Sequence, residues 1–72
     1  MLFRCLRDTG MPITEMCRYA DLVREGDHTV GERQALLERH AGRVQERMHL
    51  LERQYVHLLA KIRAYDSHGR PR

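Results

Sequence analysis

Apolar side chains recur through the C-terminal half of the chain at alternating steps of four and three residues. This spacing is the heptad repeat of a coiled coil, in which core positions a and d alternate along one edge of a helix. The nine residues of this edge, called the seam below, are Leu37, Ala41, Val44, Met48, Leu51, Tyr55, Leu58, Ile62 and Tyr65. The pattern predicts one long helix whose apolar edge pairs with a second helix.

Glycine and proline residues divide the first part of the chain into two short helices. The first is predicted over residues 2–9, because Gly10 is the residue type that most often follows the end of a helix. The second is predicted over residues 12–25, because Pro12 suits the first turn of a helix and Gly26 follows the last turn. Helices this short need packing against another element to be stable.

The long helix is predicted over residues 29–66. Thr29 and Glu32 have the spacing of a capping box, in which each side chain bonds the backbone amide of the other residue. Residues 1–28 would then form a separate head, and residues 67–72 a disordered tail. The predicted fold class is all-α, with two short helices followed by one long helix that forms a dimeric coiled coil.

The length of the seam favours a homodimer. The two short helices could cover only its first half, which leaves the large apolar residues from Met48 onward without a partner. Burying them against a second copy of the chain can offset the entropic cost of association. Packing within a larger monomer is the alternative, and it is disfavoured because the chain has no further residues to supply that packing.

Charged residues beside the seam give a weak preference for the orientation of the two helices. The charged or ionisable residues are Arg33, His40, Arg47 and Lys61 at position g, and Glu38, Glu52 and Asp66 at position e. A parallel pair would bring these opposite charges together. Exposed ion pairs contribute at most about 1 kcal/mol, so the preference for a parallel pair is weak.

Composition narrows the class of protein. Thirteen basic and ten acidic residues give a net charge of +3, which does not by itself require a nucleic-acid partner. Two cysteines do not form a disulfide framework, so a reducing cytoplasm is expected, and no apolar run could span a membrane. No catalytic motif points to an enzyme, and neither a cofactor nor a metal is expected. His40, at position g, is expected to be half-buried at the interface.

Three segments of the chain resemble the MerR family of transcription regulators. Residues 6–16 (LRDTGMPITEM) resemble the two helices and glycine turn that follow the wing in that family. Residues 26–33 (GDHTVGER) resemble the start of its dimerisation helix, and residues 61–65 (KIRAY) resemble the end of that helix. The resemblance implies a homodimer with antiparallel long helices, each packed also on the partner's DNA-binding head. It outweighs the weak charge preference.

The chain departs from this family at its N-terminus, because it lacks the helix-turn-helix and wing that read DNA. Residues 1–28 would be the remnant of the DNA-binding head, so promoter DNA is expected as a partner only when the missing helix-turn-helix is present. A fragment, a mis-assigned start and a truncated paralogue are all open explanations. The implied function is the dimerisation and sensor portion of a regulator of promoter activity. The alternative is a standalone helical interaction module that heterodimerises with full-length regulators.

Cys5 is the candidate sensor thiol. Residues 3–7 (FRCLR) resemble the surroundings of the sensor cysteine in the AdhR/NmlR-like branch, in which aldehydes or other thiol-reactive compounds switch promoter activation. Arg4 and Arg7 could favour the thiolate, which is the reactive form. The alternative is that Cys5 is a small buried hydrophobic residue, as many free cysteines are. Cys17 is expected to serve helix packing.

Overall fold

The computed structural model describes residues 1–68 as an elongated molecule that measures 64 × 18 × 17 Å. Helix α1 spans Leu2–Asp8 and helix α2 spans Ile13–Glu25, and a 3-10 turn over Asp27–Thr29 leads into helix α3, Val30–Ser67. The 38 residues of α3 give it a length of about 57 Å. The predicted all-α class, with two short helices followed by one long helix, is confirmed, and the described residues contain no strand.

A small core holds the two short helices against the N-terminal half of α3. Its buried members, each at most 5% exposed, are Leu6, Met11, Leu22 and Leu36. Three further apolar residues pack against this core and are partly buried, namely Met16, Tyr19 and Leu37. Each helix therefore contributes one fully buried leucine, and the α1–α2 turn contributes a methionine. With so few buried side chains, the placement of α1 also depends on polar contacts to α3.

The turn between α1 and α2 depends on Gly10. Its φ angle of +87° lies in the left-handed region, which glycine adopts without strain. Arg47 of α3 donates a hydrogen bond to the backbone carbonyl of Thr9, at the end of α1. A Cβ atom at Gly10 would lie 2.8 Å from the Nη1 atom of Arg47. The glycine therefore provides both the turn and the space in which Arg47 reaches α1.

The predicted capping box at the start of α3 is wrong. The hydroxyl of Thr29 faces back toward α2, where its proton is shared between the carbonyls of Leu22 at 2.7 Å and Gly26 at 2.8 Å. Glu32 instead accepts a hydrogen bond from Arg18 of α2 at 3.0 Å. Thr29 is only 1% exposed, so its hydroxyl bonds the carbonyls that are buried beside it. The pair therefore ties α3 to α2 and does not cap α3.

The short helices pack on a stripe of α3 that lies beside the seam. Leu36 and His40 are the buried residues of α3, at 5% and 6% exposure. The neighbouring seam residues Leu37 and Val44 are half-buried, and Ala41 is exposed. Because successive residues of a helix point about 100° apart, Leu36 and Leu37 face different directions. The first half of the seam therefore also remains largely uncovered by this chain.

The end of α3 differs slightly from the prediction. Ser67, which was predicted to begin the tail, is the last residue of the helix. His68 forms a turn directly after the helix, and residues 69–72 of the predicted tail lie outside the described residues. None of the helices in residues 1–68 combines the length and apolarity needed to cross a bilayer.

Candidate dimer surface and sensor thiol

A groove runs between α1 and the N-terminal half of α3. Its volume is about 780 Å³, and its lining is mostly apolar. Residues of the seam that line the groove are Leu37, Ala41, Val44 and Met48, and residues of α1 that line it are Leu2, Cys5 and Leu6. The groove is thus continuous with the exposed seam farther along α3.

The C-terminal half of α3 presents the rest of the seam to solvent. Six side chains of this half are between 45% and 64% exposed, namely Met48, Leu51, Tyr55, Leu58, Ile62 and Tyr65. At the end of the helix, the Nζ atom of Lys61 lies 5.3 Å from the ring centroid of Tyr65, within the range of a cation–π contact. The nine predicted seam residues therefore lie along one helix edge with at most partial cover.

Cys5 lines the groove, and it is exposed as a free thiol. The alternative interpretation of Cys5 as a buried hydrophobic residue therefore does not hold for this chain. Cys17 on α2 is also exposed, so the expectation that it serves helix packing is wrong. Arg7 lies against the carboxylate of Asp8 at 3.5 Å, so this flanking cation already has an anionic neighbour. What distinguishes the two thiols is that Cys5 lies beside the seam.

His40 occupies a different position from the one expected. At 6% exposure it is buried within the chain, so the expected half-buried place at a dimer interface is wrong. Its Nε2 atom lies 2.7 Å from the hydroxyl of Thr9, and its Nδ1 atom lies 3.5 Å from Nη2 of Arg43. Arg43 also bonds the carboxylate of Glu15 on α2 at 2.6 Å. This polar cluster joins all three helices.

One sequence signal for this cluster lies outside the heptad repeat of the seam. His40 follows Leu36 by four residues, so the two share a face of α3 next to the seam. A second stripe at that spacing indicates that α3 has two packing surfaces. The partner of His40, Thr9, is 31 residues away in the sequence, and local patterns cannot identify a contact at that separation.

Residues 1–68 bring no three histidine, cysteine, aspartate or glutamate side chains close enough together to hold a metal ion. Most charged groups of α1 and α2 instead form ion pairs within their own helix or with α3. Arg18 illustrates this, because it lies within 3.9 Å of Glu25 and within 3.0 Å of Glu32. The groove and the seam are therefore the candidate functional surfaces of the described residues.

Residues 1–64 match the family model described as "MerR, DNA binding". The match includes α1, α2 and all but the last residues of α3. The chain belongs to the MerR family. The match to a MerR-type DNA-binding model indicates a transcription regulator. No significant match to this MerR-family chain was found among curated proteins or among solved structures.

Proposed function

We propose that the chain is the dimerisation and sensor portion of a MerR-family regulator that controls promoter activity in the cytoplasm. The observation that carries the proposal is the exposure of the seam from Met48 to Tyr65. Contiguous apolar surface of this extent is typical of a protein–protein interface. A second copy of the chain offers the same heptad spacing, so side chains of each helix can fill the spaces on the other.

The two long helices are proposed to pair in antiparallel orientation, as the family resemblance implies. A parallel pair would gain from attraction between cations at position g and anions at position e. Two of those cations are already engaged within the chain, since Arg33 donates to the Thr29 hydroxyl at 3.1 Å and Arg47 donates to the Thr9 carbonyl. The electrostatic argument for a parallel pair therefore loses most of its weight.

The seam also favours one register. In an antiparallel coiled coil each core layer joins an a residue of one helix to a d residue of the other. Leu37 is already partly covered by the core of its own chain, so a register that leaves it out loses little. The proposed layers of that register are Leu51 with Tyr55, Met48 with Leu58, Val44 with Ile62, and Ala41 with Tyr65. The smallest seam residue then faces one of the largest, which suits close packing.

Cys5 is proposed to be the sensor thiol for aldehydes or other thiol-reactive compounds. In the proposed register, Leu58 and Ile62 of the partner subunit approach the groove that Cys5 lines. Addition of the thiolate sulfur to the carbonyl carbon of an aldehyde forms a C–S bond, and the carbonyl oxygen takes up a proton to give a hemithioacetal. A group added there would alter how the partner helix fits against α1. Such a change in the head is the proposed signal to the promoter.

Specific contact with promoter DNA is proposed to require a helix-turn-helix, because base-reading side chains in this family come from that motif. The seam would then set the distance between the two DNA-reading heads of the dimer. Half-site spacing in a dimeric regulator follows from the geometry of its dimer axis. In this proposal, the part of the chain described above determines geometry and response, and it does not itself read bases.

Analytical ultracentrifugation tests the homodimer. The chain should sediment as a dimer, and Leu58→Asp should shift it toward the monomer by burying an unpaired charge in the interface. Val56→Asp is the matched control, because Val56 is 60% exposed on the same helix and lies outside the seam. A monomer at micromolar concentration would contradict the proposal. A monomer that associates only with a full-length regulator would support a heterodimerising interaction module instead.

Reaction with formaldehyde, followed by mass spectrometry of the intact protein, tests the sensor thiol. Two single-cysteine chains, Cys17→Ser and Cys5→Ser, allow Cys5 and Cys17 to be compared directly, since both thiols are exposed. Cys5 is expected to react faster or with higher occupancy. Equal and slow reaction of the two chains would contradict the sensor role of Cys5.

A further inference from the structure

Four hydrogen bonds form an unbroken chain from α1 through α3 to α2. The hydroxyl of Thr9 donates to the carbonyl of Cys5 at 2.7 Å, and the same oxygen lies 2.7 Å from Nε2 of His40. Nη2 of Arg43 lies 3.5 Å from Nδ1 of His40 and 2.6 Å from Oε1 of Glu15. One buried imidazole therefore lies between the backbone of the candidate sensor residue and a carboxylate on another helix.

The donors and acceptors of this hydrogen-bond chain are consistent with one tautomer of His40. The single proton of the Thr9 hydroxyl is directed to the carbonyls of Cys5 at 2.7 Å and Leu6 at 3.2 Å, so the Thr9 oxygen is left to accept a hydrogen bond from Nε2–H of His40. Nδ1 then carries the lone pair and accepts a hydrogen bond from one Nη2–H of Arg43, whose other Nη2–H donates to Glu15. Each donor in this hydrogen-bond chain then faces an acceptor.

We propose that His40 is a coupling residue that transmits displacement of α1 to α2 and α3 through this hydrogen-bond chain. The proposal concerns how the fold is connected, and only its biological use rests on the proposed sensor role of Cys5. It deepens that role by naming the residues that carry the response.

Helix α1 packs on α2, where the rings of Phe3 and Tyr19 meet edge to face with centroids 5.9 Å apart, and it reaches α3 through the polar contacts at Thr9. It has seven residues, which is too short for stability in isolation, and Leu6 is the buried residue it contributes to the core. Its C-terminal end is attached to α3 by polar contacts at Thr9, one with His40 and one with Arg47. A displacement of α1 therefore changes the Thr9–His40 contact directly.

A group added to Cys5 would act on this contact. Cys5, Thr9 and His40 all line the groove between α1 and α3, so an adduct on the thiol occupies space next to this hydrogen-bond chain. If the adduct moves α1 away from α3, the Thr9 hydroxyl separates from Nε2 of His40. The imidazole then changes its position relative to Arg43, and the Arg43–Glu15 contact with α2 responds.

NMR of the imidazole nitrogens tests the first step of the proposal. At neutral pH, His40 should show the Nε2–H tautomer, with an observable Nε2 proton that is scalar-coupled to its nitrogen. The exposed His57 on the same helix is the control, and its imidazole protons should exchange too fast to observe. An Nδ1–H tautomer at His40, or rapid exchange of its ring proton, would overturn the proposed chain.

Hydrogen exchange in two variants of His40 tests the coupling. Gln at this position can still donate to Thr9 from its amide nitrogen, whereas Leu cannot donate. His40→Leu should raise the exchange rates of the Thr9 and Met11 amides about five- to tenfold, as expected from loss of one hydrogen bond. His40→Gln should retain most of the protection, and His57→Leu should retain all of it. Unchanged protection in His40→Leu would overturn the proposal.

Alkylation of Cys5 tests whether this hydrogen-bond chain responds to the thiol. The Cys17→Ser chain is treated with N-ethylmaleimide, whose double bond takes up the Cys5 sulfur on one carbon and a proton on the other. The amide resonances of Glu15 and its neighbours should then shift, and the shifts should disappear in the His40→Leu background. Shifts that persist in the His40→Leu background would overturn the proposed coupling through His40, and so would the absence of shifts despite complete alkylation. Neither result would bear on the sensor role of Cys5. A Cys5 no more reactive than Cys17 would overturn the sensor proposal and leave the exchange result standing.

Discussion

Several cationic side chains that a heptad diagram places beside the seam are used inside the chain. Arg33 donates to the buried hydroxyl of Thr29, and Arg47 donates to the backbone carbonyl of Thr9, directly after α1. His40, between them, is buried and lies against the hydroxyl of Thr9. Charged groups with such partners contribute to holding the short helices on α3, and they are not free to select a coiled-coil partner.

The contact between Arg47 and the α1–α2 turn predicts a specific effect of substitution at Gly10. Gly10→Ala should lower the free energy of unfolding by about 1–3 kcal/mol, because the turn would hold alanine at an unfavourable positive φ and the new methyl group would lie against the guanidinium of Arg47. Gly31→Ala is the control, because nothing lies within 4 Å of a Cβ there, and it should stabilise the helix by up to about 1 kcal/mol. Urea denaturation followed by circular dichroism measures both. Equal effects of the two variants would contradict the role assigned to Gly10.

At the scale of elements, α3 presents two stripes that differ in how far the rest of the chain covers them. One stripe, which includes Leu36, holds α1 and α2, and the adjacent seam is left open to another molecule. Only the first half of α3 has support from its own chain. The second half has the composition of a helix that becomes stable through association, since isolated helices are marginal in water.

The helices could be predicted from sequence because their limits depend on local signals. Gly10, Pro12 and Gly26 are each sufficient to interrupt a helix, and the seam identifies one continuous helix beyond them. The choice between Leu36 and Leu37 as the buried residue could not be made in this way, because both are leucines and only the direction of approach of α1 and α2 separates them. The capping box failed for the same reason, since the buried carbonyls that bind Thr29 are supplied by tertiary structure.

The two surfaces of α3 should respond differently to the same substitution. Leu36→Ala should destabilise the head by about 2–5 kcal/mol, because it leaves a cavity among buried side chains. Leu58→Ala, on the exposed seam, should weaken association of the chains, and in the monomer at high dilution it should leave amide protection in α1 and α2 unchanged. Hydrogen exchange of the head under those dilute conditions and sedimentation of the whole chain distinguish these effects. Loss of protection in α2 of the monomer from Leu58→Ala would mean that the head is not an independently packed unit.

At the scale of the whole molecule, the elongated shape is explained by the proposed dimer. A molecule of 64 × 18 × 17 Å whose long helix is half unsupported exposes more apolar surface than a small monomer usually does. Antiparallel pairing would place each unsupported half of α3 beside the head of the other copy. The stability of the chain should then rise with its concentration, as it does for any protein stabilised by self-association.

Disulfide cross-linking predicts a clear difference between the two orientations. In a background with Cys5→Ser and Cys17→Ser, Met48→Cys alone should give little covalent dimer, since antiparallel pairing separates the two copies of position 48. A mixture of Met48→Cys and Leu58→Cys chains should form a covalent heterodimer under mild oxidation, because positions 48 and 58 share a proposed layer. Disulfide formation requires Cα atoms closer than about 7 Å, so the test discriminates strongly. Efficient formation of covalent dimers by the Met48→Cys chain alone would indicate a parallel pair and would contradict the antiparallel orientation.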